Sequence, residues 1–415
     1  MKRRQFLTLS GRAGVLAAAA SAAPALLTER ATAQARSSIR IGMSISSTGP
    51  FAHDAQSGGR AIKMWLDDIN RQGGLLQRGG RLPVELLIRD DRSDKQLVPR
   101  VYESLINDDK VDLVLGPYGS TLTAAAAAVT ERYGIFMMGW AVAADTVFQQ
   151  GYRFIVNGGT TPISRVPDVP VQALKDVGGR VVSTIAVDEP YSEALAGLIK
   201  IAAEKRGLRI GTMEKYQRGA RDFTISLQKA AAAGTDLLCI TSYDSDMIAM
   251  LRQMKENDIN FPAIFSGFSQ NSSILALGAD AIGLWGQFNI DPRVHYPVTR
   301  GADAAAFLKA YRTTYPSGPD PDINTAVAYA GTTVLGAVIE QAADLSAAAL
   351  KRAALDLSGK LTVLSGTYAI DETGQQTGFD ILVLQNTAGG RDVIAPASVA
   401  TAKPRYPMLT WAERG

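Results

Sequence analysis

The 415-residue chain carries 43 Lys and Arg against 40 Asp and Glu, with two His and one Cys, for a formal charge of +3. A single cysteine, Cys239, excludes an intramolecular disulfide framework. The positive surplus belongs to the first 35 residues, so it gives no argument for nucleic acid as a partner.

Those residues open with Lys2-Arg3-Arg4-Gln5-Phe6-Leu7, a twin-arginine pattern, and continue in an Ala-rich run from Gly14 to Leu27. Ala33-Gln34-Ala35 is a small-x-small cleavage site, which predicts an export leader over 1–35 and Arg36 as the first mature residue. The run is short, poor in large side chains and broken by Pro24, so it spans a membrane badly. Lys2, Arg3, Arg4, Arg12 and Arg30 leave with it, as does Glu29, and the mature charge falls to −1. No later apolar run approaches membrane length, and Cys239 is too far from the cleavage site to carry a lipid anchor. A soluble periplasmic protein is expected, long enough for two domains.

In chain order, strand and helix alternate. Ile39–Ile45 reads as a strand ending in the polar turn Ser46-Ser47-Thr48-Gly49-Pro50. Ala61–Ile69 is helical, with Ile62, Trp65, Leu66 and Ile69 on one face. Val84–Ile88 is the next strand, followed by a helix over Leu97–Ile106. Val111–Leu115 is a short branched run that reads as a buried parallel strand. It stops at Gly116-Pro117; Tyr118 and Gly119 turn, and Ser120 is placed to cap a helix running to about Arg132. Ile135–Met138 is a further strand, ending at Gly139-Trp140-Ala141. Two strand ends flanking a helix N-terminus make a crevice suited to a small anionic ligand.

A Gly/Thr/Pro cluster near Asn157–Pro162 interrupts the rhythm, which then restarts. Strands are expected at Val181–Val187, Arg209–Met213, Leu237–Thr241 and Ala263–Phe265, with helices at Ser192–Lys205, Phe223–Ala233 and Met247–Asn257 between them. Asp112–Ser120 and Asp236–Ser245 each place a Tyr-x-Ser after a strand, which suggests two similar halves. After Asn289–Pro292 come helices at Ala304–Tyr315, Asn324–Gln341 and Ser346–Leu357, then short strands near Thr367–Ile370 and Ile381–Leu384. The fold class is therefore α/β: two doubly wound parallel-sheet lobes joined by a multi-strand hinge. The expected division is 36–158 plus 290–362 for one lobe, and 159–289 plus 363–415 for the other.

The mature chain resembles the leucine/isoleucine/valine-type periplasmic binding proteins of ABC transporters. The resemblance rests on Thr48-Gly49-Pro50-Phe51-Ala52, Asp67-Asp68-Ile69-Asn70, Asp90-Asp91-Arg92-Ser93-Asp94 and Leu115-Gly116-Pro117-Tyr118-Gly119-Ser120, in that order and spacing. The ending Tyr406-Pro407-Met408-Leu409-Thr410-Trp411 resembles a subgroup linked with aromatic and other organic acids. The resemblance implies a ligand held between two lobes, with no cofactor. The implied partners are a small molecule and an inner-membrane ABC permease, and the expected state is a monomer. It places Phe51 in the first ligand loop, Ser120 on the ligand carboxylate, and Trp140, Ala141, Val142 and Ala143 in the next binding segment. In the second lobe, Tyr191, Tyr243, Phe268 and Ser269 fall at ligand-lining positions.

Two of these positions depart from amino-acid binders of the family. Ala143 stands where they carry a threonine, and Ser269 where they carry the acid that neutralises the ammonium. The ligand expected is thus an organic acid, aromatic or branched, rather than leucine or its relatives. Asp54 or Asp244 remain candidates for a missing negative charge. Dinucleotide, phosphate-loop, nucleophile-elbow and zinc-protease patterns are absent from the sequence. His53 and His295 lack metal-ligand spacing, and Asp90, Asp91 and Asp94 lack the rest of a calcium loop. A periplasmic sensor of the same fold and a twin-arginine-exported enzyme are the alternatives.

Overall fold

The first lobe starts with β1 (Ile39–Ile45), α1 (Ala52–Arg71), the ribbon β2 (Leu75–Gln77) and β3 (Gly80–Leu82), β4 (Val84–Asp90), α2 (Val98–Asn107) and β5 (Leu113–Leu115). It continues with α3 (Ser120–Tyr133), β6 (Met137–Gly139) and β7 (Ile155–Asn157). The computed structural model describes residues 37–414, so the expected leader and its cleavage site lie outside the described residues. Five parallel strands lie in the order β4-β1-β5-β6-β7. The side chains of β5, β6 and β7 are buried on both faces, as a helix-covered parallel sheet requires, whereas the edge strand β4 leaves Ile88 exposed. α1 begins well before the expected Ala61, its first turns masked in the sequence by Gly58 and Gly59. A Cβ at Gly58 would come within 2.3 Å of the Trp140 ring, so the glycine that weakens the helical pattern makes room for the tryptophan.

The second lobe runs α4 (Asp168–Asp176), β8 (Val181–Val187), α5 (Pro190–Lys205), β9 (Arg209–Tyr216), α6 (Thr224–Ala232), β10 (Leu237–Thr241), α7 (Asp244–Glu256), β11 (Ala263–Ser266), the short α8 (Ser272–Leu275) and β12 (Trp285–Phe288). α4 was not legible, since Pro167 and Pro170 suggest a breaker; Pro170 falls in the first turn, where its missing N–H costs no helical bond.

The chain then returns to the first lobe through α9 (Ala304–Thr314), α10 (Ile323–Gln341) and α11 (Ala347–Asp356). α10 is buried from Asn324 to Ile339 and packs on α1. A ribbon, β13 (Leu361–Val363) and β14 (Gly366–Tyr368), precedes β15 (Leu382–Thr387), β16 (Gly390–Ala395) and the terminal turn α12 (Trp411–Arg414). The larger sheet has the order β16-β15-β12-β11-β10-β8-β9, with β15 and β16 as an antiparallel extension of five parallel strands. Val363, Tyr368 and Phe379 share a core with α10, so the boundary expected after residue 362 cuts through the β13–β14 ribbon. The antiparallel pairing of Leu361 with Tyr368 keeps this segment as one piece beside the first lobe.

Candidate functional site

Strand carboxyl ends from both lobes open onto one cleft of about 2750 Å³. On the first-lobe side its wall includes Phe51, Asp54, Tyr118, Ser120, Ala141 and Ala143; on the second-lobe side, Tyr191, Tyr243 and Phe268. A space this size exceeds the ~300–1000 Å³ of a closed small-molecule pocket, as befits two walls standing apart.

Ser120 is the first residue of α3, and Gly119, at φ 82°, takes the N-cap position, so the expected side-chain cap is not formed. A left-handed backbone there favours glycine. The Ser120 Oγ instead accepts from the amides of Ala143 at 3.1 Å and Ala144 at 2.9 Å. With its acceptor side engaged, the hydroxyl is oriented to donate its proton outward. That donor and the amides of the first turn of α3 suit a carboxylate.

Three expected residues stand behind the wall. Trp140 is fully buried; its indole Nε1 donates to the Gly116 carbonyl at 2.9 Å and its ring packs against Tyr118, with centroids 5.7 Å apart. Val142 is buried against Gly139, where a Cβ would lie 2.4 Å from its methyl. Ser269 is also buried, below the turn that carries Phe268. A residue at a strand end points alternately to the cleft and to the core, and family spacing alone does not say which. Phe51 does reach the cleft, 6.0 Å from the Tyr118 ring.

The structure adds polar groups the sequence did not single out. Asp322 is the N-cap of α10, accepting from the Thr325 amide at 2.9 Å and the Ser57 hydroxyl at 2.7 Å. Asn324 donates to Asp54 at 2.8 Å. Burial, reinforced by the nearby Asp322 charge, raises the Asp54 carboxyl above its ordinary range, against the pull of His53. Burial, with the charge of Asp54, also pushes the Tyr118 phenol up. The pattern Asp322-x-x-Thr325 signals a cap, but nothing in it signals that the cap lies on a cleft.

Across the gap, Tyr191 is 56% exposed and Tyr243 41%. The Tyr243 hydroxyl donates to Glu189, which also accepts from Arg218, and the guanidinium lies 4.9 Å above the Tyr243 ring. The Tyr243 hydrogen bond, then that of Arg218, holds Glu189 below the usual carboxylate range despite partial desolvation. Tyr243 and Phe268 stand 6.4 Å apart at 31°, an offset shelf for a flat or apolar body. Among the described residues there is no cluster of metal-ligating side chains, and no helix long and apolar enough to cross a membrane.

A family model described as periplasmic binding protein matches residues 38–391. The leucine-, isoleucine-, valine-, threonine- and alanine-binding protein of Pseudomonas aeruginosa is 24% identical, covering 85% of this chain and 90% of its own. The Leu/Ile/Val-binding protein homolog 7 of Brucella suis is also 24% identical, over 91% of this chain and 96% of its own. The fold matches the substrate-binding protein LivJ of Streptococcus pneumoniae, solved with isoleucine, at a TM-score of 0.69 and 19% identity, covering 90% and 99% of the two chains. It also matches a solute-binding protein of R. palustris solved with benzoate, at 0.67 and 15%, covering 90% and 98%. The chain belongs to the periplasmic binding protein family and is a solute-binding protein rather than an enzyme.

Proposed function

We propose that this protein captures a small organic acid between its lobes and delivers it to an inner-membrane permease. The carrying observation is the unequal provision for the two ends of an amino acid. A carboxylate is offered the Ser120 hydroxyl, oriented by two amides, and the start of α3. At the two positions where the ammonium is held in amino-acid binders of the family, Ala143 has no side-chain acceptor and Ser269 is buried out of reach. An ammonium buried without a counter-charge costs several kcal/mol, enough to erase useful affinity. The exposed second-lobe aromatics would cover an aromatic or branched body. The benzoate bound by the R. palustris relative is in keeping with this reading.

Asp54 favours a second reading, an amino-acid ligand whose ammonium turns toward the first lobe instead. On either reading the lobes close about crossings after β7, after β12 and near residue 380, because a ligand touching both walls binds the closed state better. The leader over 1–35 would take the protein to the periplasm by the twin-arginine route. The test is a thermal-shift panel of benzoates, phenylpropanoid acids, branched keto acids and amino acids. Stabilisation by amine-free acids is the expected result; a response to leucine, isoleucine or valine alone would transfer the assignment to the second reading.

A further inference from the structure

Four buried polar side chains lining the cleft have no partner within the protein: Thr161 Oγ1 on the crossing after β7, and Thr241 Oγ1, Gln270 Oε1 and Asn289 Oδ1 at strand ends of the second-lobe sheet. The last three are only 6%, 6% and 5% exposed. Buried polar groups are nearly always hydrogen-bonded, so three orphans in the second-lobe wall call for an explanation. These three lie at the ends of neighbouring strands of one sheet. Thr241 ends β10, Gln270 lies in the turn after β11, and Asn289 directly follows β12; the three strands pair in parallel through Cys239–Phe265 and Ser266–Gly286. Ligands of open α/β sheets bind outside such carboxyl ends.

The network fixes which atom of Gln270 is free. Asn386 Nδ2 donates to the Ser269 carbonyl at 3.2 Å, so its Oδ1 is the acceptor facing Gln270. Gln270 Nε2 donates to that oxygen at 2.8 Å, and its Oε1 is left as an unsatisfied acceptor. The position is built rather than accidental. A Cβ at Gly286 would come within 2.8 Å of Gln270 Cγ and Nε2, so only glycine leaves room for this amide. The charged groups beside these orphans already have protein partners, and the Arg391 guanidinium lies 4.5 Å over the Phe288 ring. The second-lobe carboxylates on the cleft are already engaged, Glu189 by Arg218 and Tyr243, and Asp244 by Asn271 and Ser273. Asp291, on the crossing after β12, is paired with Arg293.

We propose that Thr241, Gln270 and Asn289 form a subsite for an uncharged hydrogen-bond donor, and that the ligand is therefore a hydroxylated organic acid. This rests on the organic-acid reading above and adds to it. The carboxylate goes to Ser120, and the ligand hydroxyl donates to Gln270 Oε1, with Thr241 and Asn289 beside it. A plain hydrocarbon would leave the orphans unpaired. A site built to bond a hydroxyl discriminates strongly against the analogue that lacks it.

The experiment is calorimetric titration of the folded mature protein with 4-hydroxybenzoate against benzoate, 2-hydroxyisocaproate against isocaproate, and leucine. The expected result is tighter binding of one hydroxy acid than of its deoxy partner by about tenfold or more. That advantage should shrink in Thr241→Val and vanish in Gln270→Met. Thr241→Val preserves shape and should not lower the ligand-free melting temperature, which separates a lost contact from a damaged fold. Equal affinity of hydroxy and deoxy partners would overturn the inference while leaving the organic-acid reading standing. Binding of leucine alone, or of none of the five compounds, would overturn both.

Discussion

The two walls of the cleft are finished differently. On the first-lobe wall the polar side chains hold one another before any ligand arrives: Ser120 by two amides, Asp54 by Asn324, Asp322 by Ser57 and a helix start. The opposite wall shows exposed tyrosine rings at its rim and orphan polar atoms at its base. A preorganised wall costs little to use, so it should supply the anchor, while a wall with open valences should supply selectivity and closure. Under the proposed function the difference predicts an order of binding, in which the first lobe docks the carboxylate and the second closes over the remainder.

The largest break in this comparison should come from Ser120→Ala. Removing the hydroxyl takes away the donor to the carboxylate and leaves the Ala143 and Ala144 amides without their acceptor. Hydrogen bonds to charged groups are worth ~1.5–3 kcal/mol, so affinity for a carboxylate ligand should fall by about 10- to 100-fold. Tyr191→Phe, on the other wall, removes only the hydroxyl of a 56% exposed ring and should leave affinity within about twofold. Titration of both variants with the same acid checks the contrast. Equal losses would mean that the walls share the anchor.

A second contrast concerns stability and one substitution made twice. Gly58 in α1 and Gly197 in α5 are both helical glycines. A Cβ at Gly58 would press into the buried Trp140 ring at 2.3 Å, whereas one at Gly197 meets nothing within 4 Å. Overpacking a rigid core costs ~1–3 kcal/mol, more than the ~1 kcal/mol that replacing a helical glycine returns. Gly58→Ala should therefore lower the unfolding free energy and Gly197→Ala should raise it by about 0.5–1 kcal/mol. Denaturant titration reads both, and matching signs would show that the first wall is no more tightly backed than the second.

Much of this was legible from residue pattern, and what was not has identifiable causes. Branched runs such as Leu113–Leu115 and Val181–Val187 gave the parallel strands, because burial on both faces leaves an uninterrupted apolar signature. Hidden were elements interrupted by Gly or Pro, namely the first turns of α1, α4, and the β16 strand that starts at Gly390, and the short parallel strands β7 and β12, whose three and four residues are too few to show a pattern. In the site, Phe51, Tyr118, Ser120, Tyr191, Tyr243 and Phe268 reach the cleft, whereas Trp140, Val142 and Ser269 turn inward. Sequence order fixes which turn approaches the cleft but not which side chain of it faces out. The orphans at Thr241, Gln270 and Asn289 depend on partners distant in sequence, such as Asn386 and Gly286, which no local pattern reveals.

The smallest expected effect sharpens the comparison through pH. The first lobe holds a buried amine behind its wall: Lys351 on α11 donates to the Ile155 carbonyl of β7 at 3.0 Å, beside Gly374. Asp371 and Glu131 are close enough to favour its charge, but burial outweighs them and lowers its pKa from 10.5 to about 8. A buried titratable group of the second lobe, Cys239, is instead a thiol pushed up by burial, which stays neutral across the working range. For Lys351 the sign follows from proton counts. Below about pH 8 both folded and unfolded chains hold the proton, and above 10.5 neither does. Between those values the unfolded chain binds more protons, so stability rises with pH. The melting temperature of the wild type relative to Lys351→Met should climb across this window, and amide exchange should slow in the first lobe more than in the second. A flat difference would mean that the amine sheds its proton alike in both states, and that the first wall is backed by an ordinary solvated lysine.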